Sequence, residues 1–110
     1  MKVENLGDAM PVLLQVDFPK EAPFGDEMAS QSKDLAESIA NEPGMQWKIW
    51  TENAKTGEAG GIYLFDDLPS AEAYMAMHTD RLKARGLENI RTKFFDINEP
   101  LTRITRGPTI

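Results

Sequence analysis

Apolar and polar positions alternate from Val12 to Phe18. Val12, Leu14, Val16 and Phe18 fall on one face, and Leu13, Gln15 and Asp17 on the other, which predicts a strand. Residues 19–25 (PKEAPFG) carry two prolines and a glycine and read as a stiff loop. A helical stripe of Met28, Leu35, Ala36 and Ile39 predicts a helix from about Asp26, as N-cap, to Asn41. Glu42-Pro43-Gly44 ends it, because Pro43 disfavours helical geometry at Glu42 and Gly44 can turn the chain. Met45–Glu52 predicts a second strand, with Met45, Trp47 and Ile49 assigned to the helix-covered face and Gln46, Lys48 and Trp50 to the opposite one. Residues 53–57 form a hairpin loop, and Ala59–Phe65 a third strand whose Gly60 and Gly61 mark a bulge or a close approach. Asp67 or Ser70 caps a second helix reaching about Arg85, where Arg81, Lys83 and Arg85 suit the negative end of the helix dipole. Ile90–Ile97 is a fourth strand, and residues 98–110 a polar tail with two prolines.

The order strand, helix, strand, strand, helix, strand predicts an α+β, ferredoxin-like domain: a four-stranded antiparallel sheet with both helices on one face. The uncovered face presents Leu13, Trp50 and an aromatic of strand four, a patch that a second copy packing sheet on sheet would cover. The domain spans 11–104, between a loose lead-in (1–10) and a short tail (105–110).

Composition then removes whole classes of function. Eighteen acidic residues against twelve Lys and Arg give a net charge of −6, which disfavours nucleic acid and anionic membranes as partners. With no Cys and one His, neither a thiolate site nor a three-nitrogen metal site can be built. No apolar run is long enough to span a bilayer and no signal-peptide core opens the chain, so the expected location is the cytoplasm.

Several segments together resemble the YdhR family of mono-oxygenases over roughly residues 11–104. They are Pro23-Phe24-Gly25-Asp26, Glu42-Pro43-Gly44, Trp47-Lys48-Ile49-Trp50-Thr51-Glu52, Glu58-Ala59-Gly60-Gly61-Ile62-Tyr63-Leu64-Phe65, His78-Thr79-Asp80-Arg81-Leu82-Lys83 and Phe95-Asp96-Ile97-Asn98-Glu99-Pro100-Leu101. The resemblance implies a dimeric α+β barrel. It also implies an oxygenase that needs neither metal nor flavin and acts on a small planar aromatic, phenol- or quinol-like.

Within that frame His78, the one side chain titrating near neutrality, is the candidate general base, with Tyr63 as acid or hydrogen-bond donor. Trp47, Arg81, Phe24 and Met28 are candidate substrate-binding residues: Trp47 to stack, Arg81 to hold negative charge, Phe24 as a lid and Met28 as apolar lining. Leu13, Trp50 and Phe65 are candidate dimer-interface residues, although Tyr63 and Phe65 share a strand whose phase the sequence leaves open. Each has a plainer reading as packing or as a surface ion pair. Two further functions stay open: a dimeric small-molecule binding or stress-related module without turnover, and a haem-degrading oxygenase with His78 as axial ligand.

Overall fold

The computed structural model describes residues 10–108; the predicted lead-in, apart from Met10, and the last two tail residues lie outside them. Among the described residues there are four strands: β1 (Val12–Pro19), β2 (Met45–Asn53), β3 (Glu58–Phe65) and β4 (Arg91–Asp96). Four helices accompany them: α1 (Gly25–Gln31), α2 (Lys33–Ala40), α3 (Leu68–Ala84) and α4 (Glu99–Ile104). The sheet is antiparallel throughout, in the order β2-β3-β1-β4. This is the ferredoxin-like α+β arrangement.

The helix-covered face of β1 is the one its alternation predicts. Val12, Leu14, Val16 and Phe18 are all buried. Register places Tyr63 opposite Leu14 and Phe65 opposite Val12, so both β3 aromatics join this face. From α3, Ala71, Tyr74, Met75, His78 and Leu82 face inward at the three-four spacing of a helix. Ile39 adds the buried contact of α2, with Leu35 and Met28 packed at its margin. Met77, one residue off the stripe, is exposed.

Four expectations are corrected by these elements. The single predicted helix is two, with Ser32 between them as the C-cap of one and the N-cap of the next. Asp26 is not its cap; Phe24 occupies that position, without a side-chain bond. The predicted tail contains α4, started by Asn98, whose side chain accepts from Leu101 N at 3.2 Å, and by Pro100 in its first turn. At the start of α3 the choice between Asp67 and Ser70 resolves to Asp67, which accepts from Ser70 N at 2.8 Å.

The fourth correction governs the site. The β2–β3 register slips between Met45 and Trp47: Met45 pairs with Phe65, Trp47 with Leu64, and Lys48 with Tyr63. One extra residue in β2 transfers every following side chain to the other face. Met45 keeps its predicted core position, but Lys48 and Trp50 now share the face of Tyr63, whereas Trp47 and Ile49 share the open face. Trp50 is therefore not an open-face residue and Trp47 is not a helix-face one. Phe65 is 0% exposed on the helix face and cannot anchor a sheet-to-sheet contact. Leu13 does lie on the open face, opposite Leu64 and Phe95.

Candidate active site

A cleft opens between the helix-covered face of the sheet and the helices. Its inner part, about 80 Å³, is lined by Val16, Phe18, Lys48, Trp50, Tyr63, His78 and Arg85, among others. An outer hollow of about 210 Å³ lies between α1, α2 and β2 and shares Met28, Ser32 and Trp50 with the inner one. The two form one recess with an apolar mouth.

Lys48 occupies the centre. Its Nζ stands 3.5 Å above the centroid of the Trp50 ring and 4.7 Å from that of Tyr63. Among the described residues no carboxylate pairs with it. Gly61 makes this path available: a Cβ there would overlap Lys48 Cε and come within 3.4 Å of Nζ. Burial, and secondarily the charge of Arg81, lowers the Lys48 pKa from 10.5 to about 7. At neutral pH this amine is divided between base and acid.

Behind it runs a chain of polar aromatics. The Tyr63 and Tyr74 hydroxyls lie 2.9 Å apart, and the Tyr74 ring stacks on the His78 imidazole with 4.9 Å between centroids. His78 Nδ1 accepts from Arg81, 3.2 Å from Nε and 3.0 Å from Nη2. Guanidinium can only donate, so Nδ1 carries the lone pair and Nε2 the proton. Arg81 is braced by Ser38 Oγ at 3.4 Å. His78 is 3% exposed. Burial first, then the charges of Lys48, Arg81 and Arg85, lower its pKa to about 3. The imidazole is thus neutral at physiological pH. Burial raises both tyrosines, Tyr74 to about 12, so neither is a ready acid at neutral pH.

The structure brings His78, Tyr63 and Met28 to this recess, with Arg81 directly behind His78. Phe24 stands outside the lining, at its mouth beside Gly25, with Lys20 Nζ 4.9 Å from its ring. Trp47 is on the far side of the sheet, and Trp50 is the tryptophan that lines the recess. Sequence reasoning passes over Lys48 and Tyr74. Lys48 and Trp50 share a strand face by period two; that this face is the helix-covered one is readable only once the bulge is known.

Two other chemistries fit poorly. Among the described residues no three His, Asp or Glu side chains could hold a metal ion. A haem ligand needs an imidazole open to a porphyrin-sized space; His78 is engaged at Nδ1 and faces a hollow of about 80 Å³. A larger hollow, about 280 Å³, lies on the open face, where Arg91 is tied to Asp17 and, at 2.8 Å, to Glu58. Among the described residues no helix is long and apolar enough to cross a membrane.

The fold has structural relatives. SnoaB, a cofactor-independent oxygenase from Streptomyces nogalater solved as an asparagine-to-alanine mutant, superposes with a TM-score of 0.58 at 18% identity, covering 82% of this chain and 95% of that one. A structure described as a putative antibiotic biosynthesis monooxygenase from Deinococcus radiodurans gives a TM-score of 0.53 at 13% identity, covering 81% and 93%. No curated protein matches the chain. A family model described as "Putative mono-oxygenase ydhR" matches residues 13–108, and the chain belongs to that family.

Proposed function

We propose that the chain is an oxygenase that reacts a small planar phenol with molecular oxygen, without a cofactor, in the recess over Trp50. One observation carries this reading: a lysine near pKa 7 is held between aromatic faces with no carboxylate paired to it. The family and the fold of SnoaB agree with it.

Lys48, as the free amine, takes the phenolic proton, and the resulting ammonium stabilises the phenolate. The base is assigned to Lys48 and not to His78, because Arg81 occupies Nδ1 and Nε2 bears the proton. His78 Nε2–H then serves as donor to the developing anion, and Arg81 positions the ring from behind. The phenolate gives one electron to oxygen, and the phenoxyl radical and superoxide join at the para carbon as a peroxide. Lys48 returns its proton to that peroxide. Loss of the carbon-bound proton and cleavage of the O–O bond leave a quinone carbonyl and water. One phenol and one O₂ give one quinone and one water, and all four electrons come from the substrate.

With α-naphthol as probe, oxygen uptake and naphthoquinone absorbance should rise together, one to one. The logarithm of kcat/KM should climb with unit slope to a pH of about 7 and then flatten, because the amine must be free in the resting enzyme. A profile flat from about pH 5 to 8 would remove Lys48 as the base.

The open face supports a homodimer. Ile49 is 53% and Phe95 43% exposed there, beside Leu13 and Trp47. Native mass spectrometry should give twice the chain mass, and Ile49→Glu should halve it, since a charge at an apolar contact centre is not tolerated. A monomeric wild-type protein would refute the pairing.

A further inference from the structure

The chain carries a net charge of −6, yet the inner recess reverses that sign. Lys20, Lys48 and Arg85 line it, with no Asp or Glu among its residues. The outer hollow has one carboxylate, Glu52, and it accepts from Gly25 N at 2.9 Å.

The three cations differ in what they already hold. Lys20 donates to the backbone oxygens of Glu21 at 2.8 Å and Pro23 at 2.6 Å, and so ties down the loop. Lys48 is committed to the phenolic oxygen in the reading above. Arg85, at the C-terminal cap of α3, makes no ion pair among the described residues. Nearby backbone groups leave its guanidinium little to do for the helix end: Arg85 N and Leu87 N already donate to Leu82 O, at 3.0 and 3.1 Å. Its neighbours in the lining, Leu82 and Leu87, offer apolar contact to a ring. A planar fork beside an apolar wall is the arrangement that recognises a carboxylate on an aromatic scaffold.

We propose that the ligand is an aromatic acid, its phenolic oxygen meeting Lys48 beside Trp50 and its carboxylate taken by Arg85 at the edge of the recess. The proposal names the substrate class of the site described above and rests on that site being where substrate binds. Burial chiefly, and after it the charges of Lys48, Arg81 and Arg85, lower the His78 pKa, in keeping with a positive field inside the cleft. A second, permanent anion would be favoured by that field before any proton is moved. A neutral phenol would gain nothing from it.

The test is calorimetric titration of the wild-type protein, and of Arg85→Gln, with a hydroxynaphthoate and the matching hydroxynaphthamide, followed by oxygen uptake on each. The acid should bind the wild type at least about tenfold more tightly than the amide. Arg85→Gln should bring the two affinities to within about threefold by weakening the acid alone. The preference should also shrink as salt is raised, since Arg85 is exposed. Equal affinity of wild type for acid and amide, a preference that survives Arg85→Gln, or no binding of either compound would overturn the proposal. Acid-selective binding without oxygen uptake would uphold this assignment and refute the oxygenase reading. Oxygen uptake on both compounds with equal affinity would do the reverse.

Discussion

Lys48→Met should abolish turnover and make the protein more stable. The activity loss is the removal of a general base, a factor of about 10²–10⁴ in kcat. The stability gain follows from what Lys48 costs the fold. Burial lowers its pKa from 10.5 to about 7, so the folded chain binds that proton less readily than the unfolded chain does. At about 1.4 kcal/mol per pH unit, full conversion would be an upper bound. Part of it is returned by the cation–π contact with Trp50 and by water at the mouth. A net gain of about 1–2 kcal/mol on substitution by an apolar side chain of similar length is the expected size. For a domain of this length that raises Tm by about 5–10 °C.

The sign of the pH dependence follows from the lowered pKa. The penalty is fully present below about pH 7, where the folded state must carry the charge. It fades as pH rises toward 10.5, where the unfolded chain also releases its proton. The difference in Tm between Lys48→Met and wild type should therefore be largest in mildly acidic buffer and shrink steadily in alkali. Thermal unfolding followed across that range, beside oxygen-uptake rates, reads both effects. A variant that loses stability at every pH would show that Lys48 supports the core instead of costing it.

Most of the fold is legible in the chain, because β1 keeps one period from end to end and start and stop signals bracket α3. The four buried residues of β1 are those their spacing picks out. What escapes is where a period is interrupted. The slip between Met45 and Trp47 leaves no mark in composition, and a period-two reading carried across it inverts the strand. That single residue exchanges the roles of Trp47 and Trp50 and hides Lys48 in what reads as a solvent-facing position. Short elements escape for another reason. At six residues, α4 shows Asn98 and Pro100 as start signals but has no apolar stripe long enough to register. The proposed base moves from His78 to Lys48 on a hydrogen bond: a lone histidine attracts acid–base chemistry on paper, but Arg81 at i+3 donates to its Nδ1. The spacing is visible in sequence; the direction of the guanidinium is not.

Gly60 and Gly61 are adjacent in β3, and replacing each by alanine should separate folding from catalysis. A Cβ on Gly60 would overlap the Val16 carbonyl oxygen and come within 2.7 Å of Asp17 Cα. Both atoms are backbone of β1, a central strand paired on both edges. Neither can yield without parting β1 from β3, so Gly60→Ala should cost about 3 kcal/mol or more, a Tm drop beyond about 10 °C. A Cβ on Gly61 meets chiefly Lys48, with Cε and Nζ its near neighbours and Ile49 O at 3.2 Å. The end of a lysine can swing aside, so Gly61→Ala should change stability by less than about 1 kcal/mol. Yet it drives the amine from the Trp50 face into water. Its pKa should then climb back toward 10.5, and the rising limb of the kcat/KM profile should move to higher pH with it. Urea unfolding and pH–rate profiles of the two variants give four readings. If Gly61→Ala retains the wild-type profile, the position of Lys48 between Trp50 and Tyr63 is not what sets its basicity, and the assignment of the general base fails with it.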